Sequence, residues 1–576
     1  MPGGLLNIIA YGDQNVFIHG NPTKTHFKTT YAKHTNFGLQ KFRVDLDGGA
    51  KTLNMNTETT INFKVPRYAE LLMDTYVVVT MPHIWSPVLP PDSNTMVDGG
   101  SGDPVTGNQT RWRPYEFKWI ENLGSQIIQE VEFTVGSQTI QKFSGDYMHN
   151  MVLRDFGVTK RTLYDEMTGN TREMNDPANA YERRGQYPTA YCEVDDEGNP
   201  IPSEPSIRGR KLYIPLNTWF TLSNKMAFPL TSLQYNELTI RITFRPIRDL
   251  FVIRDVIHTS YDPLVPTLYT RAQPGVNEHN FNRFLHTPTG VDILNNVYDT
   301  RTDWSSDIHL ISTYAFLSEN EINMFAGEAQ TYLIKTVYEQ TFPNLVNSNR
   351  QEIVSSGMVS SWMWYFRRSD ASERNQWTNY TNWPYMYQPI DLLDAPMYEG
   401  VSIGTTTHGP GMDPRNTRGG SQNTNTFITG PYRPNNRKWI MEKCAILFDG
   451  KYRENEMDAG IFSYIDKYTR TRGYASNGLY CYNYCLDTSP YNHQPSGAIN
   501  LSRFNTIELE FNTITPPVSD NSLYTQICDP ATGGVIGDTM TQAWKLYEYV
   551  YDLHFIEERY NILKFIGGNA SLMYVR

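Results

Sequence analysis

Residues 131–143 read VEFTVGSQTIQKF, and residues 238–244 read LTIRITF. In the first stretch Val131, Phe133 and Val135 alternate with Glu132 and Thr134. In the second, Leu238, Ile240, Ile242 and Phe244 alternate with Thr239, Arg241 and Thr243. Alternation with period two puts all the apolar side chains on one face of an extended chain. Each run therefore predicts a strand with one face on a core and the other on solvent or a partner. Gly136-Ser137 lies between two such runs, where a tight hairpin turn fits. Similar runs recur at 60–65, 74–81, 211–215, 308–317, 331–341, 353–366, 438–448, 478–485, 506–512 and 543–555, while long helical periodicity is scarce. One helix start stands out: Ser318, with Glu321 three residues on, forms a capping box. The short helix it opens separates two strand-rich halves and places a boundary near residue 328. The pattern is that of an all-β protein in two parts.

Between the strands lie long stretches rich in Pro, Gly, Asn and Ser, at 84–116, 157–208, 253–304 and 370–436. Loops beyond about 15 residues are uncommon in compact domains and usually carry function. A chain of 576 residues accommodates two large β domains and an arm. With 39 % hydrophobic and 19 % charged residues it can build packed cores, and 13 % aromatics, 38 of them Tyr among the ring residues, favour strands and interfaces.

The net charge of −11 argues against a nucleic-acid surface as the main business. Residues 14–44 differ locally: Lys24, Lys28, Lys33, Lys41 and Arg43 occur there with no Asp or Glu. Two readings stand for this arm, a solvated segment or one that docks on an acidic partner. Five cysteines (Cys192, Cys444, Cys481, Cys485 and Cys528) make no disulfide scaffold in so long a chain. An extended strand would hold Cys481 and Cys485 roughly 13 Å apart, too far for a bridge. The opening MPGGLLNIIAYGDQNVF has no signal-peptide pattern, and Pro2 stands where myristoylation needs Gly. No run reaches the 18 or more apolar residues of a membrane span, so membrane insertion is not expected.

Catalytic signatures are missing. There is no HExxH, CxxC pair, GxSxG elbow or GxxxxGK[ST] loop, and no metal or cofactor is expected. The glycines of 99–107 and 531–538 sit in polar loops with no following helix. Acidic clusters occur at Glu193, Asp195, Asp196 and Glu197 and at Glu557-Glu558, but nothing pairs them as a glycosidase requires, and such clusters are most often solvated. Sequons occur at Asn108, Asn379, Asn500 and Asn569; Asn108 and Asn379 fall in expected loops and are the glycosylation candidates. Trp362, Trp364, Trp377, Tyr380, Trp383, Tyr385 and Tyr387 form an aromatic group suited to interfaces, with Trp362 and Trp364 better placed in their own barrel.

Specific strings then become informative. Gly3, Gly4, Ala10, Tyr11, Gly12, Gln14, Gly20, Asn21, Pro22, Thr25, Phe27, Lys28, Thr35, Asn36 and Phe37 resemble the N-terminal signature of major capsid proteins of nucleocytoplasmic large DNA viruses. LYIPLNTWFTLSNKMAFPLTSLQYNELTIRITF (212–244), STYAFLSENEINMFA, TYLIKTVYEQ and LYCYNYCLDTSPYNHQPSGAINLSRFNTIELEF (479–511) are similar to later family strings, in order. Asp13, His19 and Tyr31-Ala32-Lys33-His34 depart from the family pattern.

The resemblance implies two tandem eight-stranded antiparallel jelly rolls with long loops and a few short helices: an arm at 1–40, a first roll at 41–328 and a second at 329–576. It implies a non-enzymatic shell subunit that forms pseudo-hexagonal homotrimers and tiles an icosahedral virion, assembled in the host cytoplasm. Minor capsid and penton proteins would be its partners, without direct nucleic-acid contact, and an inner viral membrane would lie nearby. The four long stretches would supply towers and inter-subunit contacts, the basic arm would meet the inner face, and Gln494-Pro495-Ser496-Gly497 would be a turn marking the fold. A minor or paralogous virion protein (a vertex or spike component) and a carbohydrate-binding β-sandwich are the competing readings.

Overall fold

A computed structural model of the chain describes residues 16–574 apart from 49–51, 87, 90–112, 184–186, 189–192, 195–199, 202–203, 255–268, 274–275, 277–278, 287–300, most of 383–437, 475–476, 493 and most of 516–548. Its frame begins with β1 (Gly38–Val44), β2 (Thr59–Lys64), β3 (Leu71–Thr80), β4 (Ile128–Val135), β5 (Gln138–Ser144), β6 (Lys211–Pro215), β7 (Leu238–Phe244) and β8 (His309–Phe316). It continues with β9 (Gln330–Leu345), β10 (Ser348–Glu352), β11 (Met358–Arg368), β12 (Met441–Phe448), β13 (Lys451–Asp458), β14 (Leu479–Asn483), β15 (Ile507–Thr513) and β16 (Tyr551–Ile566).

The first eight pair in the orders β1-β8-β3-β6 and β2-β7-β4-β5, and the second eight as β9-β16-β11-β14 and β10-β15-β12-β13. Adding eight to each label of the first set gives the second. The letters carry no repeat, but the wiring does: these are two tandem jelly rolls, each a pair of four-stranded antiparallel sheets packed face to face.

Alternation explains the packing. Ile61, Phe63, Val131, Phe133, Val135, Ile240, Ile242 and Phe244 meet Val77, Val79, Leu212, Ile214, Leu310 and Tyr314 in the first core. The hairpin between β4 and β5 closes as expected, with Val135 facing Gln138 and Gly136 at φ +60°, as a type II′ turn asks of its first central residue. β11 follows a different rule. Trp362, Trp364 and Phe366 enter the second core, while Met363 and Tyr365 join the apolar cluster of the first barrel. A strand buried on both faces reads as a continuous apolar run, which is why MVSSWMWYF lacks alternation.

Several expectations shift. The stretch 157–208 is not wholly irregular: α1 (Gly145–Asp155) is followed directly by α2 (Val158–Thr168). β16 runs eleven residues beyond the expected end at 555, and residues 543–548 lie outside the described ones. The expected arm, 1–40, ends inside a strand, because Gly38 already pairs with Phe316. The helix opened by Ser318 is present as α3 (Glu319–Gly327). Its box is rearranged: Ser318 Oγ donates to Glu321 Oε2 at 3.0 Å, and Thr35 Oγ1 donates to Oε1 at 2.7 Å, which ties the arm to the helix.

Strand direction fixes where the connections go. β1 and β3 both run antiparallel to β8, and β6 runs antiparallel to β3. The C-terminal end of β3 therefore lies beside the N-terminal ends of β6 and β8. The β3–β4, β5–β6 and β7–β8 connections, which contain 84–116, 157–208 and 253–304, all leave from that end. The β11–β12 connection, which contains 370–436, leaves from the matching end of the second barrel. Those two ends are neighbours, since Asn375 Nδ2 donates to Arg248 O at 2.7 Å and to Phe251 O at 2.8 Å.

Just before β14, Gly478 sits at φ +80°, and a Cβ there would lie 2.1 Å from Tyr380 O. Both the backbone and the space demand glycine. Gly478→Ala is expected to lower unfolding stability by at least about 2 kcal/mol, read as a lower urea midpoint at unchanged slope.

Candidate assembly interface

The two barrels meet through α1. Its N-cap Ser144 accepts from Tyr147 N at 3.1 Å, and every residue of the helix is buried. It lies against the outer face of the sheet β9-β16-β11, which is charged at the contact. Arg154 Nη2 donates to Asp155 Oδ2 at 2.6 Å and to Glu558 Oε1 at 2.7 Å, and Arg154 Nη1 donates to Ser361 Oγ at 3.2 Å. Ser361 Oγ and Tyr147 OH donate to the two Glu558 oxygens at 2.8 and 3.0 Å, and Thr488 Oγ1 donates to Asp155 Oδ1 at 2.6 Å. Burial alone would raise the Glu558 carboxyl, but Arg154 and then Lys335 reverse this and bring it down to about 2. A buried ion is tolerable only when its lone pairs are filled in this way.

A second cluster lies about two turns back along the helix, at its N-terminus. Asp146 accepts from Arg367 Nη2 at 3.0 Å, Tyr365 OH at 3.1 Å and Gln126 Nε2 at 3.1 Å. Burial again pushes the carboxyl up, and Arg367 with Arg245 outweighs it and holds it well below the usual range. Burial lowers His554, beside this cluster, to about 3. Glu339 Oε1, on β9, accepts from the backbone and hydroxyl of Ser144 at 3.1 and 3.0 Å.

The same elements recur elsewhere in the chain with less cover among the described residues. In the second barrel the segment after β13 is also helical, a π-helical turn Ile461–Ile465 that runs into Asp466–Arg470. Unlike α1 it leaves Tyr464, Ile465 and Tyr468 exposed, Tyr468 by 91 %. In the first barrel the sheet β1-β8-β3-β6 corresponds to the one that α1 covers. Register places Leu39, Lys41, Arg43, Ile311, Tyr76 and Tyr213 on its outer face. Leu39, Lys41, Arg43 and Tyr213 are exposed there.

Comparison with known proteins agrees with this architecture. The family description "Major capsid protein N-terminus" matches residues 25–270, and "Large eukaryotic DNA virus major capsid protein" matches 321–571. The chain belongs to the major capsid proteins of large eukaryotic DNA viruses. A major capsid protein of Chrysochromulina ericina virus is 23 % identical over the full length of both chains, and that of Paramecium bursaria Chlorella virus 1 is 22 % identical, again over both chains. Among solved structures, the PBCV-1 capsid protein VP54 superposes with a TM-score of 0.57 at 17 % identity, covering 96 % of this chain and all of that one. The Faustovirus major capsid protein gives 0.56 at 12 %, covering 98 % of each. These likenesses support the double jelly roll.

The capsid protein places the sequence-predicted residues unevenly. Glu557-Glu558, expected to be solvated, is buried on both faces of β16: Glu558 lies at the seam, while Glu557, on the opposite face, is fully buried and accepts from Trp362 Nε1 at 2.8 Å and from Ser355 and Arg559. The available signal was position, because the pair interrupts the alternating strand YDLHFIEERYNILKFI. Nothing in the sequence marked Arg154 as the partner of Glu558, or Asp146 and Arg367 as partners of each other. Lys24, Lys28 and Lys33 lie on the exposed arm, but Lys41 and Arg43 belong to β1. Arg43 is held by Asp307 at 2.7 Å and Asp45 at 2.9 Å, which removes it from the set of arm cations.

Asn379, expected on an open loop, is instead buried. Its Oδ1 accepts from Thr381 N at 3.1 Å and Thr381 Oγ1 at 2.7 Å, so a glycan would have to displace both. Asn108, Cys192, Trp383, Tyr385, Tyr387 and the acidic residues 195–197 lie outside the described residues.

Tyr380 and Trp377 do not project from the molecule as interface aromatics. Tyr380 stacks on Tyr365 with ring centroids 3.9 Å apart, and Trp377 Nε1 donates to Asp249 O at 2.9 Å. Cys444, Cys481 and Cys485 are buried thiols without disulfides. Ser496 bridges backwards to Asp487, accepting from its N–H at 3.0 Å and donating to its carbonyl at 2.9 Å, beside Gly497 at φ +140°. Among the described residues no group of His, Cys, Asp and Glu could hold a metal, and no helix is long and apolar enough to cross a membrane.

Glu558→Gln leaves Arg154 buried with one fewer anion and is expected to cost about 3–5 kcal/mol near neutral pH. The folded pKa of Glu558 lies below its ordinary value. Its contribution is therefore full above about 4.5 and is lost as pH falls towards about 2. Denaturant titrations of both proteins across that window should show the difference shrinking steadily with acid.

Proposed function

We propose that the capsid protein assembles as a homotrimeric, pseudo-hexagonal capsomer with no catalytic role. The observation that carries this is the repeated wiring together with the uncovered copy of the seam. Inside the chain, the helix after β5 of the first barrel covers the outer sheet of the second. The matching helix of the second barrel leaves Tyr464, Ile465 and Tyr468 exposed, and the matching sheet of the first leaves Leu39, Lys41, Arg43 and Tyr213 exposed. If one chain offers Tyr464, Ile465 and Tyr468 to the Leu39–Tyr213 face of the next, the intrachain contact is repeated between chains. If the six lobes of a ring use this one contact alternately within and between chains, three copies close it. The boundary between lobes falls near residue 328, with the first roll beginning at β1 (Gly38–Val44) and the second spanning 329–576.

In this arrangement the end bearing the long connections faces outward and supplies the towers. The arm, with Lys24, Lys28 and Lys33 free of acidic neighbours in sequence, reaches the inner face. There it meets minor capsid and penton proteins or anionic head groups of an inner membrane. Assembly takes place in the host cytoplasm, where reduced, buried cysteines suit the redox conditions.

Light scattering on the purified protein at several concentrations tests the trimer. A species near three times 66.3 kDa, unchanged on dilution, is expected. Tyr468→Asp should shift it to 66.3 kDa with the urea midpoint of the chain kept. A monomer for the unaltered protein, or a trimer indifferent to the substitution, would overturn the contact. Deletion of residues 1–37 should leave the trimer intact and weaken shell closure.

A further inference from the structure

The buried seam and its more exposed copy match residue by residue, because both barrels carry the same irregularity. In each barrel β3, or its counterpart β11, has one extra residue opposite its neighbour. Leu72 and Thr75 face Tyr314 and Ser312 on β8, while Val359 and Ser361 face Arg559 and Glu558 on β16. At both bulges a hydroxyl on one strand donates to a carboxylate on the other. In the seam Ser361 Oγ donates to Glu558 Oε2 at 2.8 Å. In the first barrel Thr313 Oγ1 donates to Asp74 Oδ2 at 2.9 Å, and Thr313 faces Lys41, which puts the pair on the outer face of its sheet. Asp74 is thus the counterpart of Glu558, but it is only half-buried.

The helices match through their caps. The outermost pairs of the two hairpins are Glu130–Ser144 and Lys443–Asp458. Ser144 Oγ accepts from Tyr147 N at the start of α1, and Asp458 Oδ1 accepts from Gly460 N at 2.7 Å. Arg154 and Tyr468 stand equally far along the chain from these two caps. The π turn widens the first coil of the second helix, and the residues it leaves outward are Tyr464, Ile465 and Tyr468. Tyr468 therefore takes the place of Arg154, and in the single chain its ring stands in solvent.

We propose that the Tyr468 hydroxyl of one copy donates to the Asp74 carboxylate of the next, as Arg154 donates to Glu558 within the chain. This pair presupposes the trimer contact given under Proposed function and names the bond that sets its register. A carboxylate accepts several hydrogen bonds, so Asp74 has capacity beyond Thr313 and Tyr76. A phenol donating to a carboxylate already occurs in the seam, where Tyr147 OH meets Glu558. The change of donor has a physical reason. Arg154 is sealed as the chain folds, whereas Tyr468 stays in water until a second copy arrives. Stripping water from a neutral phenol costs far less than stripping it from a guanidinium. Lys41, opposite Thr313, supplies a positive charge on the same face as Asp74. Tyr464 and Ile465 add apolar contact, which has no direction, and the bond selects one alignment.

The test uses trimers of the full-length protein. Isotope-labelled and unlabelled trimers are mixed, and native mass spectrometry follows the exchange of subunits between them. Tyr468→Phe and Asp74→Ala should each speed exchange about tenfold, and the double variant should exchange no faster than either. Tyr468→Arg, which rebuilds the ion pair of the seam, should slow exchange when Asp74 is present and not in the Asp74→Ala background. If Asp74→Ala does not fold, Asp74→Asn keeps an acceptor for Thr313, and the gain from Tyr468→Arg should vanish there too. An unchanged rate for Tyr468→Phe, independent effects that multiply in the double variant, or slowing by Tyr468→Arg without Asp74 would overturn the pair and leave the trimer standing. A monomeric unaltered protein would overturn the trimer and the pair with it.

Discussion

A guanidinium sealed between two barrels must have all its hydrogen bonds met inside the protein, and this requirement organises the molecule. Arg154 reaches Asp155 on its own helix and Glu558 and Ser361 on the opposing sheet. An apolar seam of equal area would hold the barrels together as well, but it would tolerate sliding, because apolar contact has no direction. The Arg154 bonds are met in one register only. With the Asp146 cluster beside them, they fix two points on one helix and so set both the position and the rotation of the second barrel. The apolar cluster of the first barrel runs through this seam to Met363, Tyr365 and Ile556, so the charges sit within a continuous packed layer.

That single contact also explains which parts of the fold were legible in the sequence. Strands with one buried face, such as β4 and β7, announced themselves by alternation. Strands buried on both faces, such as β11, were recognisable as apolar runs. Three edge strands were not. β1, β10 (SNRQE) and β13 (KYRENEMD) lie at sheet margins with largely exposed side chains, so their residues answer to solvent and to hydrogen bonding and no apolar rhythm remains. The buried acids were missed for a related reason. A carboxylate is judged by its partners, and those of Glu558 stand about 200 and 400 positions away in the chain.

The edge strands show how a sheet protein that must associate laterally avoids doing so indiscriminately. β13 carries alternating charge and meets β12 through two register shifts, both of which spoil a template for further strand pairing. The exposed apolar residues next to it are instead on a helix, which presents side chains and keeps its backbone groups satisfied. Contact there is selected by shape rather than by the open hydrogen-bonding edge that leads to aggregation.

The direction of the strands separates two properties of a tile. Its footprint is set by the flanks of the barrels, where the sheets and the seam lie. Its relief is set by the connections that leave one end. An insertion between β3 and β4, or between β11 and β12, adds relief without altering the footprint. Neighbouring tiles continue to fit while the surface they carry diverges. On the orientation proposed above, a lineage of such chains can change what it displays while the footprint of its tile stays the same.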